Sequence, residues 1–336
     1  MPSPARFIHL WLLWIPATVC LGISLGGSWA FLPLLTLTTL HPAADFFAKR
    51  TGREQPLGSR LSEALVLLYP FVQTTALVVF LARIGANPPS TDALVVKALS
   101  FGLMSGATGI TVAHELVHRS ARWQRGLGVW LLSQVLFSHY RVEHVFGHHS
   151  RVATREDPAS ARRGEWVYTF WVRWFFVGFL NAWKSEARRL PRLSQWGRHR
   201  IIHYCLLQSA LLIGTFALGS LPGLIFFAVQ ALAAVLLLGL IDYIEHYGLE
   251  RKRLPDGGYE AISSKHSWDS DHRFTNAFLI NLGRHADHHT HPRKTFGKLI
   301  NRAEAPLLPY GYSTMLMLAL APPFFFKRMD ALIKTS

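Results

Sequence analysis

Apolar residues dominate six stretches of the chain, and polar residues are concentrated between and after these stretches. Each stretch is close to the ~20 residues with which a helix crosses a bilayer, although the second is short and contains Pro33. The predicted spans lie near residues 8–27, 28–45, 61–82, 93–113, 201–219 and 222–244. Only the sequence GSLPG separates the last two, which predicts a tight helical hairpin. The fold class that follows is an all-α integral membrane protein.

Basic residues predict which side of the membrane each region faces. Four of them follow the second span: Lys49, Arg50, Arg53 and Arg60. The connection IGANPPST after the third span carries no charge, whereas regions 114–200 and 245–336 are rich in Lys and Arg. The positive-inside rule therefore puts both regions and both termini in the cytoplasm. We expect one domain over residues 1–336, with the two polar regions forming a helical cytoplasmic cap.

The composition narrows the class of protein further. The chain is 50% hydrophobic and only 16% charged, which is too apolar for an ordinary soluble domain. Its net charge of +15 is explained by topology and by contact with anionic lipid, so nucleic acid is not an expected partner. The two cysteines, Cys20 and Cys205, lie in apolar stretches and form no CxxC pair. Any one-electron carrier must therefore be another protein.

Nine of the 17 histidines fall in four clusters that the predicted topology puts on one side of the membrane. The clusters are HELVHR with His114 and His118, EHVFGHH with His144, His148 and His149, DYIEHYGL with His246, and RHADHH with His285, His288 and His289. In the first cluster the spacing of four residues places both imidazoles on one face of a helix. Imidazoles at helical spacing are how a helix offers two ligands to one metal ion.

The number and type of these side chains restrict the metal. Nine imidazoles exceed the four to six positions around one ion, so we expect two ions. Nitrogen ligands do not suit calcium or magnesium, which leaves iron, zinc, copper or manganese. Four acidic residues next to the histidines could orient imidazole N–H groups or carry protons: Glu115, Glu143, Glu245 and Asp287.

Two other functions compete for these residues. HELVH also fits HExxH, the zinc protease pattern, and Asp256 in LPDGG offers a distant third ligand. This hypothesis leaves seven clustered histidines unexplained. A metal transporter would place its ligands near the middle of the bilayer, whereas these clusters lie beyond the predicted helix ends. Both hypotheses are therefore weaker than a dimetal enzyme.

The motifs HELVHR, EHVFGHH, DYIEHYGL and RHADHHTHP closely resemble the four histidine boxes of the integral-membrane alkane 1-monooxygenases. They resemble less closely the xylene-methyl hydroxylases and the membrane fatty-acid desaturases. The similarity extends to HSWDSDHRFTN before the last box and to LPYGYSTMLMLALAPP near the end, and it covers roughly residues 105–330. Four boxes in this order make a specific signal.

The resemblance implies a non-haem di-iron monooxygenase of a bacterial inner membrane, with all nine clustered histidines as iron ligands. It implies insertion of one oxygen atom of O₂ into an unactivated, terminal C–H bond of a substrate such as an n-alkane. Electrons would come from a rubredoxin or ferredoxin and its NAD(P)H-dependent reductase. Hydroxylation of an aryl methyl group and desaturation or hydroxylation of a fatty-acyl chain stay open as alternatives.

The chain departs from the family pattern at three positions. Asp242, Asp269 and Asp271 stand where asparagine is usual, which adds negative charge near the boxes and removes no ligand. Trp11, Trp14 and Phe71 are possible substrate-channel residues. The aromatic stretch WVYTFWVRWFFVGFLNAW predicts either a helix at the membrane interface or a helix buried in the cytoplasmic cap.

Overall fold

The computed structural model describes residues 4–48, 50 and 58–333 of the chain, so Lys49 and Arg53 of the predicted topology lie outside the described residues. Helices account for nearly all of its regular structure. In the described ranges no strand forms, and three isolated bridges are the only β pairings. The all-α prediction is therefore confirmed.

Thirteen helical elements can be followed in chain order. The first six are α1 (Trp14–Leu25), α2 (Leu32–Leu35), α3 (His41–Phe47), α4 (Arg60–Ala86), α5 (Thr91–Val117) and α6 (Arg122–Ser133). The others are α7 (140–151, with a π-helical turn over Glu143–His148), α8 (Val167–Arg189), α9 (Arg200–His246), α10 (Arg273–Phe278), α11 (His285–Thr290), α12 (Tyr312–Ala319) and α13 (Pro322–Ile333). Short 3₁₀ turns connect several of them.

Three of these helices are long and apolar enough to cross a membrane, namely α4, α5 and α9. The first two extend the third and fourth predicted spans. The 47-residue α9 contains both the fifth and the sixth, and its backbone leaves helical geometry at Ser220, where φ is 51°. Pro222 follows this residue and suits the first turn of a new helix, because its nitrogen has no hydrogen to leave unpaired.

Hydrogen bonds show that α9 turns back on itself at Ser220. The Gln208 side-chain oxygen accepts hydrogen bonds from the Ser138 backbone N–H and hydroxyl, each at 3.0 Å, and Gln230 donates to the Gln134 carbonyl at 2.7 Å. These two glutamines lie on opposite sides of Ser220 but reach the same short segment. The predicted hairpin is therefore present, with arms 200–219 and 221–246.

The first two predicted spans are interrupted in the structure. Residues 8–27 form the end of a 3₁₀ helix and then α1, and residues 28–45 are divided among short α, 3₁₀ and π elements. Gly26 and Gly27 adopt φ values of 73° and 53°, which separates the two stretches sharply. The prediction of six spans therefore remains untested, because among the described residues only α4, α5 and α9 are both long enough and apolar enough to cross a membrane.

Small residues let α5 approach the second arm of α9 closely. A Cβ atom on Gly102 would lie 2.6 Å from Cβ of Ala233, and one on Gly106 would lie 3.0 Å from Cα of Ala234. Glycines spaced by four residues form a groove that allows helix backbones to touch, which is a common way to pack helices in lipid. This contact holds the helix that carries His114 against the helix that ends at His246.

The aromatic helix α8 has two apolar faces. Phe170 and Trp174 are buried, and Trp171 donates to the carbonyl of Leu236 on α9 at 3.0 Å. On the opposite face Phe176 is 61% exposed and Leu180 is 51% exposed. One face of α8 is therefore buried in the protein and the other is exposed and apolar, and its predicted place relative to the membrane stays a prediction.

Glu186 connects the end of α8 to the start of α9, and its removal should destabilise the protein. Its carboxylate accepts hydrogen bonds from Arg189 at 2.8 Å and from the Arg200 backbone N–H at 3.0 Å. We expect Glu186→Gln to lower the free energy of unfolding by about 1–3 kcal/mol, as for hydrogen bonds to a buried charge. Thermal unfolding in detergent, with Glu250→Gln in an exposed loop as the control, measures this loss.

The same contacts make the stabilisation depend on pH. Although burial opposes ionisation, the hydrogen bonds from Arg189 and Arg200 lower the pKa of Glu186 from 4.5 to about 2. A lowered folded-state pKa means that the stabilisation is complete above about pH 4.5 and is lost as the pH falls toward 2. The difference in melting temperature between parent and variant should therefore shrink in this window, and a constant difference would contradict the assignment.

Candidate metal centre

Four segments bring the nine predicted histidines together. His114 lies in the last turn of α5 and His118 immediately follows this helix, as the spacing of four residues predicted. His246 is the last residue of α9. The remaining six come from α7 and α11: His144, His148, His149, His285, His288 and His289. All nine are buried except His118, which is partly buried.

The π-helical turn in α7 explains how three histidines of one short helix reach the same site. A π turn closes over five residues and is frequent at functional sites. It aligns His144 with His149, whose Nε2 atoms lie 3.1 Å apart. In α11 the ordinary helical spacing aligns His285 with His289, whose Nε2 atoms are 3.0 Å apart. Both boxes with a doubled histidine therefore direct their imidazoles to the same site, one through a π turn and the other through ordinary helical spacing.

The histidines form two groups of four. One contains His114, His118, His144 and His288, and the other contains His148, His246, His285 and His289. Within each group the candidate ligand atoms all lie within 4.8 Å of one another. His149 lies between the groups. Its Nε2 is 3.1 Å from that of His288, and its ring stacks on His289 with centroids 4.5 Å apart.

The spacing of the nitrogens fits metal binding. Two imidazole nitrogens that bind one ion at about 2.1 Å and at a right angle are about 3.0 Å apart. Nε2 of His285 lies 3.1 Å from that of His246, and Nε2 of His148 lies 3.2 Å from that of His289. For the part of the chain that is described, the buried Nε2 atoms of His114 and His118 have no hydrogen-bond partner. Such orphaned nitrogens suit an ion, because unpaired buried polar atoms are costly.

Burial also favours the form of histidine that binds metal. Desolvation lowers the pKa of His118 to about 3. It lowers the pKa of five further ring systems outside the spanning helices: His144, His149, His285, His288 and His289. These imidazoles are neutral at physiological pH, and neutral imidazole is the ligand form. The donor set of nine nitrogens matches iron, zinc, copper or manganese.

Asp157 is a site residue that the sequence reasoning missed. Its buried carboxylate lies 2.8 Å from Nδ1 of His148 and accepts a hydrogen bond from Ser160 at 2.6 Å. Burial alone would lower the pKa of His148, but the Asp157 carboxylate outweighs it and raises that pKa. This contact directs Nε2 of His148 toward its group. The available signal was an acid next to a proline eight residues after His149, in REDP.

Of the four predicted acids, Glu245 contacts a histidine of the centre, and Glu143 lines a cavity beside the centre. Glu245 lies 3.3 Å from Nε2 of His285 and accepts a hydrogen bond from Tyr312 at 2.6 Å. Glu143 pairs with Arg151 at 2.5 Å, and its other oxygen is buried without a hydrogen-bond partner among the described atoms. Burial raises the pKa of Glu143 to about 7.

The other two acids pair with cations, and Asp287 also lies 3.2 Å from Nδ1 of His291, which is not one of the nine clustered histidines. Glu115 pairs with Arg119 at 2.7 Å and accepts the Phe296 backbone N–H at 3.1 Å. Asp287 pairs with Lys294 at 2.6 Å and also with Arg302. Both carboxylates are thus neutralised by cations. The orientation of Glu115 disfavours the zinc protease hypothesis, in which this residue would activate water at the metal.

The three aspartates that depart from the family pattern have different environments. Asp242 accepts a hydrogen bond from Trp174 at 2.8 Å and is buried near the histidines. Asp269 accepts the backbone N–H of Ala286 at 2.7 Å, at the start of α11. Asp271 pairs with Arg50 at 3.2 Å, away from the centre.

An apolar cavity between α5 and the second arm of α9 reaches the centre. Its walls include His114, His285 and Glu245 at one end and Ile110, Thr111, Leu238, Ile241 and Leu282 elsewhere. A second apolar cavity of about 380 Å³ shares Ile241 with it and contains Leu237, Phe278 and Leu316.

The three aromatic residues proposed as channel residues lie elsewhere. Phe71 is 60% exposed and Trp11 is 43% exposed, and Trp14 packs against Trp11 with ring centroids 5.7 Å apart. None of them borders either apolar cavity.

The fold and the site together define a helical membrane protein with a buried, histidine-lined candidate metal centre next to an apolar cavity. A model of the fatty acid desaturase family matches residues 92–318, which is more than half of the chain. The chain therefore belongs to the fatty acid desaturase family and, by the relatives described next, to its alkane 1-monooxygenases.

Alkane 1-monooxygenase 1 of Pseudomonas aeruginosa is 43% identical over 240 residues, which are 70% of this chain and 63% of that protein. Alkane 1-monooxygenase 1 of Alcanivorax borkumensis is 33% identical over 339 residues, which are 96% of this chain and 84% of that protein. The xylene/toluene monooxygenase hydroxylase component XylM of Pseudomonas putida is 27% identical over 321 residues. The chain thus spans less than two thirds of the first relative and most of the second.

Proposed function

We propose that the protein is a di-iron monooxygenase that hydroxylates an unactivated, terminal C–H bond of a hydrophobic substrate such as an n-alkane. The observation that carries the proposal is the pair of four-histidine groups at the end of an apolar cavity between membrane helices. The names of the similar proteins support the same reaction class. The nine histidines would hold the two irons, with the active site and both termini on the cytoplasmic side of a bacterial inner membrane.

The reaction inserts one atom of O₂ into the substrate and balances as RH + O₂ + 2e⁻ + 2H⁺ → ROH + H₂O. When bound, the two irons would supply the activation of O₂, which the side chains of the protein cannot provide. The side chains of the protein hold the groups of the centre in position. Asp157 orients His148, and the Glu245–Tyr312 hydrogen bond holds a carboxylate beside His285.

The apolar cavities would orient the substrate. Leu238 and Ile241 lie on the second arm of α9 and Leu282 precedes the last histidine box, so aliphatic side chains lead up to the histidines. An alkyl chain in this space would arrive with its terminal carbon leading, because the second cavity extends the apolar path away from the centre. The walls would also exclude water from the reacting atoms.

The test uses the full chain purified in detergent and returned to lipid nanodiscs. Elemental mass spectrometry should give about two irons per chain. Incubation with n-octane, O₂ and reduced rubredoxin should give 1-octanol, detected by gas chromatography. A product only from p-xylene would favour an aryl-methyl hydroxylase, and a new double bond in an acyl chain would favour a desaturase. One zinc and no iron would overturn the proposal.

A basic groove is the proposed docking surface for the separate electron carrier. The groove has a volume of about 800 Å³ and is lined by Arg155, Arg251, Lys252 and Arg253 with one acid, Glu250. Its surplus of positive charge suits a small acidic protein of the rubredoxin or ferredoxin type, which its NAD(P)H-dependent reductase would reduce.

The groove is connected directly to two histidine boxes. The Arg251 backbone N–H donates to the Ala153 carbonyl at 2.7 Å, which joins the loop after His246 to the loop after His149. Each of these loops begins within five residues of a histidine of the centre. A carrier in the groove would therefore contact two loops that lie only a few residues from His149 and His246 in the chain.

Charge reversal in this groove should weaken use of the carrier. We expect Lys252→Glu with Arg253→Glu to raise the KM for reduced rubredoxin about 5- to 10-fold at low salt, because electrostatic steering governs such encounters. The difference should disappear at high salt, where the Debye length is only a few ångströms. Lys184→Glu, an exposed residue on α8, is the matched control. An unchanged KM in the double variant would exclude this docking surface.

A further inference from the structure

A third cavity also borders the histidines. It lies beside α8 and is bounded by His144 and His148. Tyr140 and Asp242 line both this cavity and the apolar cavity that ends at His114. The two spaces therefore share a wall that consists of these two side chains, and both border the histidines of the centre.

Two polar atoms are buried in the wall of the third cavity. Oε2 of Glu143 and Nε2 of His139 are buried in its wall, and within the described structure neither has a hydrogen-bond partner. Glu143 is 7% exposed and His139 is 6% exposed, so water in bulk does not satisfy them. Unpaired polar atoms in such places are expensive and point to a ligand that can hydrogen-bond. An alkane cannot do this.

We propose that this third cavity binds the hydroxyl group of the primary alcohol product and is its route out of the centre. The inference rests on the proposed function. A hydroxyl group can donate to the Glu143 carboxylate and accept from His139, so one small group pairs both orphaned atoms. Phe137 and Trp174, whose rings stack with centroids 5.0 Å apart, offer an apolar wall to the alkyl chain.

The geometry of α8 provides the way out. Gly178 lies in the cavity wall, and a Cβ atom added to it would meet only Cγ of Glu143, at 3.9 Å. The neighbouring Phe176 and Leu180 are apolar and exposed on the outer face of the same helix. An alcohol that passes Gly178 therefore leaves beside an apolar surface, which suits a molecule with one polar end and one apolar end.

Filling the space beside Gly178 tests the route. We expect Gly178→Leu to keep the amount of alcohol formed in the first turnover but to lower the steady-state rate about 5-fold, because product release becomes limiting. Alcohol that stays near the centre should be oxidised again, by RCH₂OH + O₂ + 2e⁻ + 2H⁺ → RCHO + 2H₂O, with electrons from the same carrier. The fraction of aldehyde should therefore rise. Gly214→Leu is the matched control, since an added Cβ there meets no described atom within 4 Å.

A binding measurement tests whether the third cavity binds alcohol, independently of turnover. Protein in nanodiscs is equilibrated with 1-octanol, separated rapidly, and the retained alcohol per chain is measured by gas chromatography. Gly178→Leu and His139→Phe should each retain less alcohol than the parent, whereas Gly214→Leu should retain as much. Equal retention in all four proteins would overturn the pocket. Loss of the first turnover in Gly178→Leu would overturn the exit role, because the cavity would then serve the reaction itself.

These outcomes separate the two proposals. If the parent forms no alcohol from octane, the proposed function fails while the retention assay still tests the pocket. If the parent hydroxylates octane but the aldehyde fraction and steady-state rate do not change in Gly178→Leu, only the exit route fails.

Discussion

Replacing His288 by alanine should lower hydroxylation of n-octane by more than about 100-fold, since loss of a group that only orients a ligand already costs 10- to 100-fold. His288 belongs to one four-histidine group, and its Nε2 is 3.1 Å from that of His149 between the groups. Its loss therefore removes a ligand where the two groups meet. The iron content should fall below two per chain, while the protein still enters the membrane and elutes as the parent does.

A histidine of α9 that is exposed provides the matched control. His203 lies near the start of the first arm, and His203→Ala should keep both the iron content and the rate. His246→Ala tests the other group in the same way, because His246 ends the second arm and its Nε2 lies 3.1 Å from that of His285. Full iron content and full turnover in His288→Ala would show that the ligand assignment is wrong.

Replacing Asp157 by asparagine should weaken metal binding and activity about 10- to 100-fold, the usual effect of losing a carboxylate that orients a histidine ligand. Asp157 is fully buried and contacts Nδ1 of His148 at 2.8 Å. The amide has nearly the same shape but no charge, so His148 loses the partner that raises its pKa. The rate of iron loss to a chelator should increase correspondingly.

A spectroscopic readout separates this positioning role from general destabilisation. His148 belongs to only one group, so only one of two iron signals in a Mössbauer spectrum should shift in Asp157→Asn. Asp256→Asn is the matched control, because Asp256 lies in an exposed turn and accepts the Gly258 backbone N–H at 2.8 Å. It also tests the protease hypothesis, which requires Asp256. Unchanged chelation kinetics in Asp157→Asn would remove Asp157 from the site.

Most residues of the candidate site could be predicted, because side chains that can bind metal have recognisable chemistry and short spacing. The nine histidines stand in four compact motifs, which the structure places at the ends of α5 and α9 and within α7 and α11. Their identity did not depend on knowing the fold. The assignment of the acids was less accurate, because an acid next to a histidine in sequence can point to the opposite side of the helix. Glu115 and Asp287 do this and pair with cations.

The apolar stretches by themselves determined the all-helical class and the hairpin at GSLPG, because these features arise from local periodicity. The four clusters of imidazoles follow directly from the positions of the histidines in the sequence. Tertiary structure alone decided how the histidines divide into two groups, since each group takes members from three segments or more. It also brought Asp157 to His148 and gave the centre one cavity between α5 and α9 and another beside α8. Apart from Asp157 and His148, which are only nine residues apart, these relations join distant parts of the chain, and only the packing of the helices brings them within contact distance.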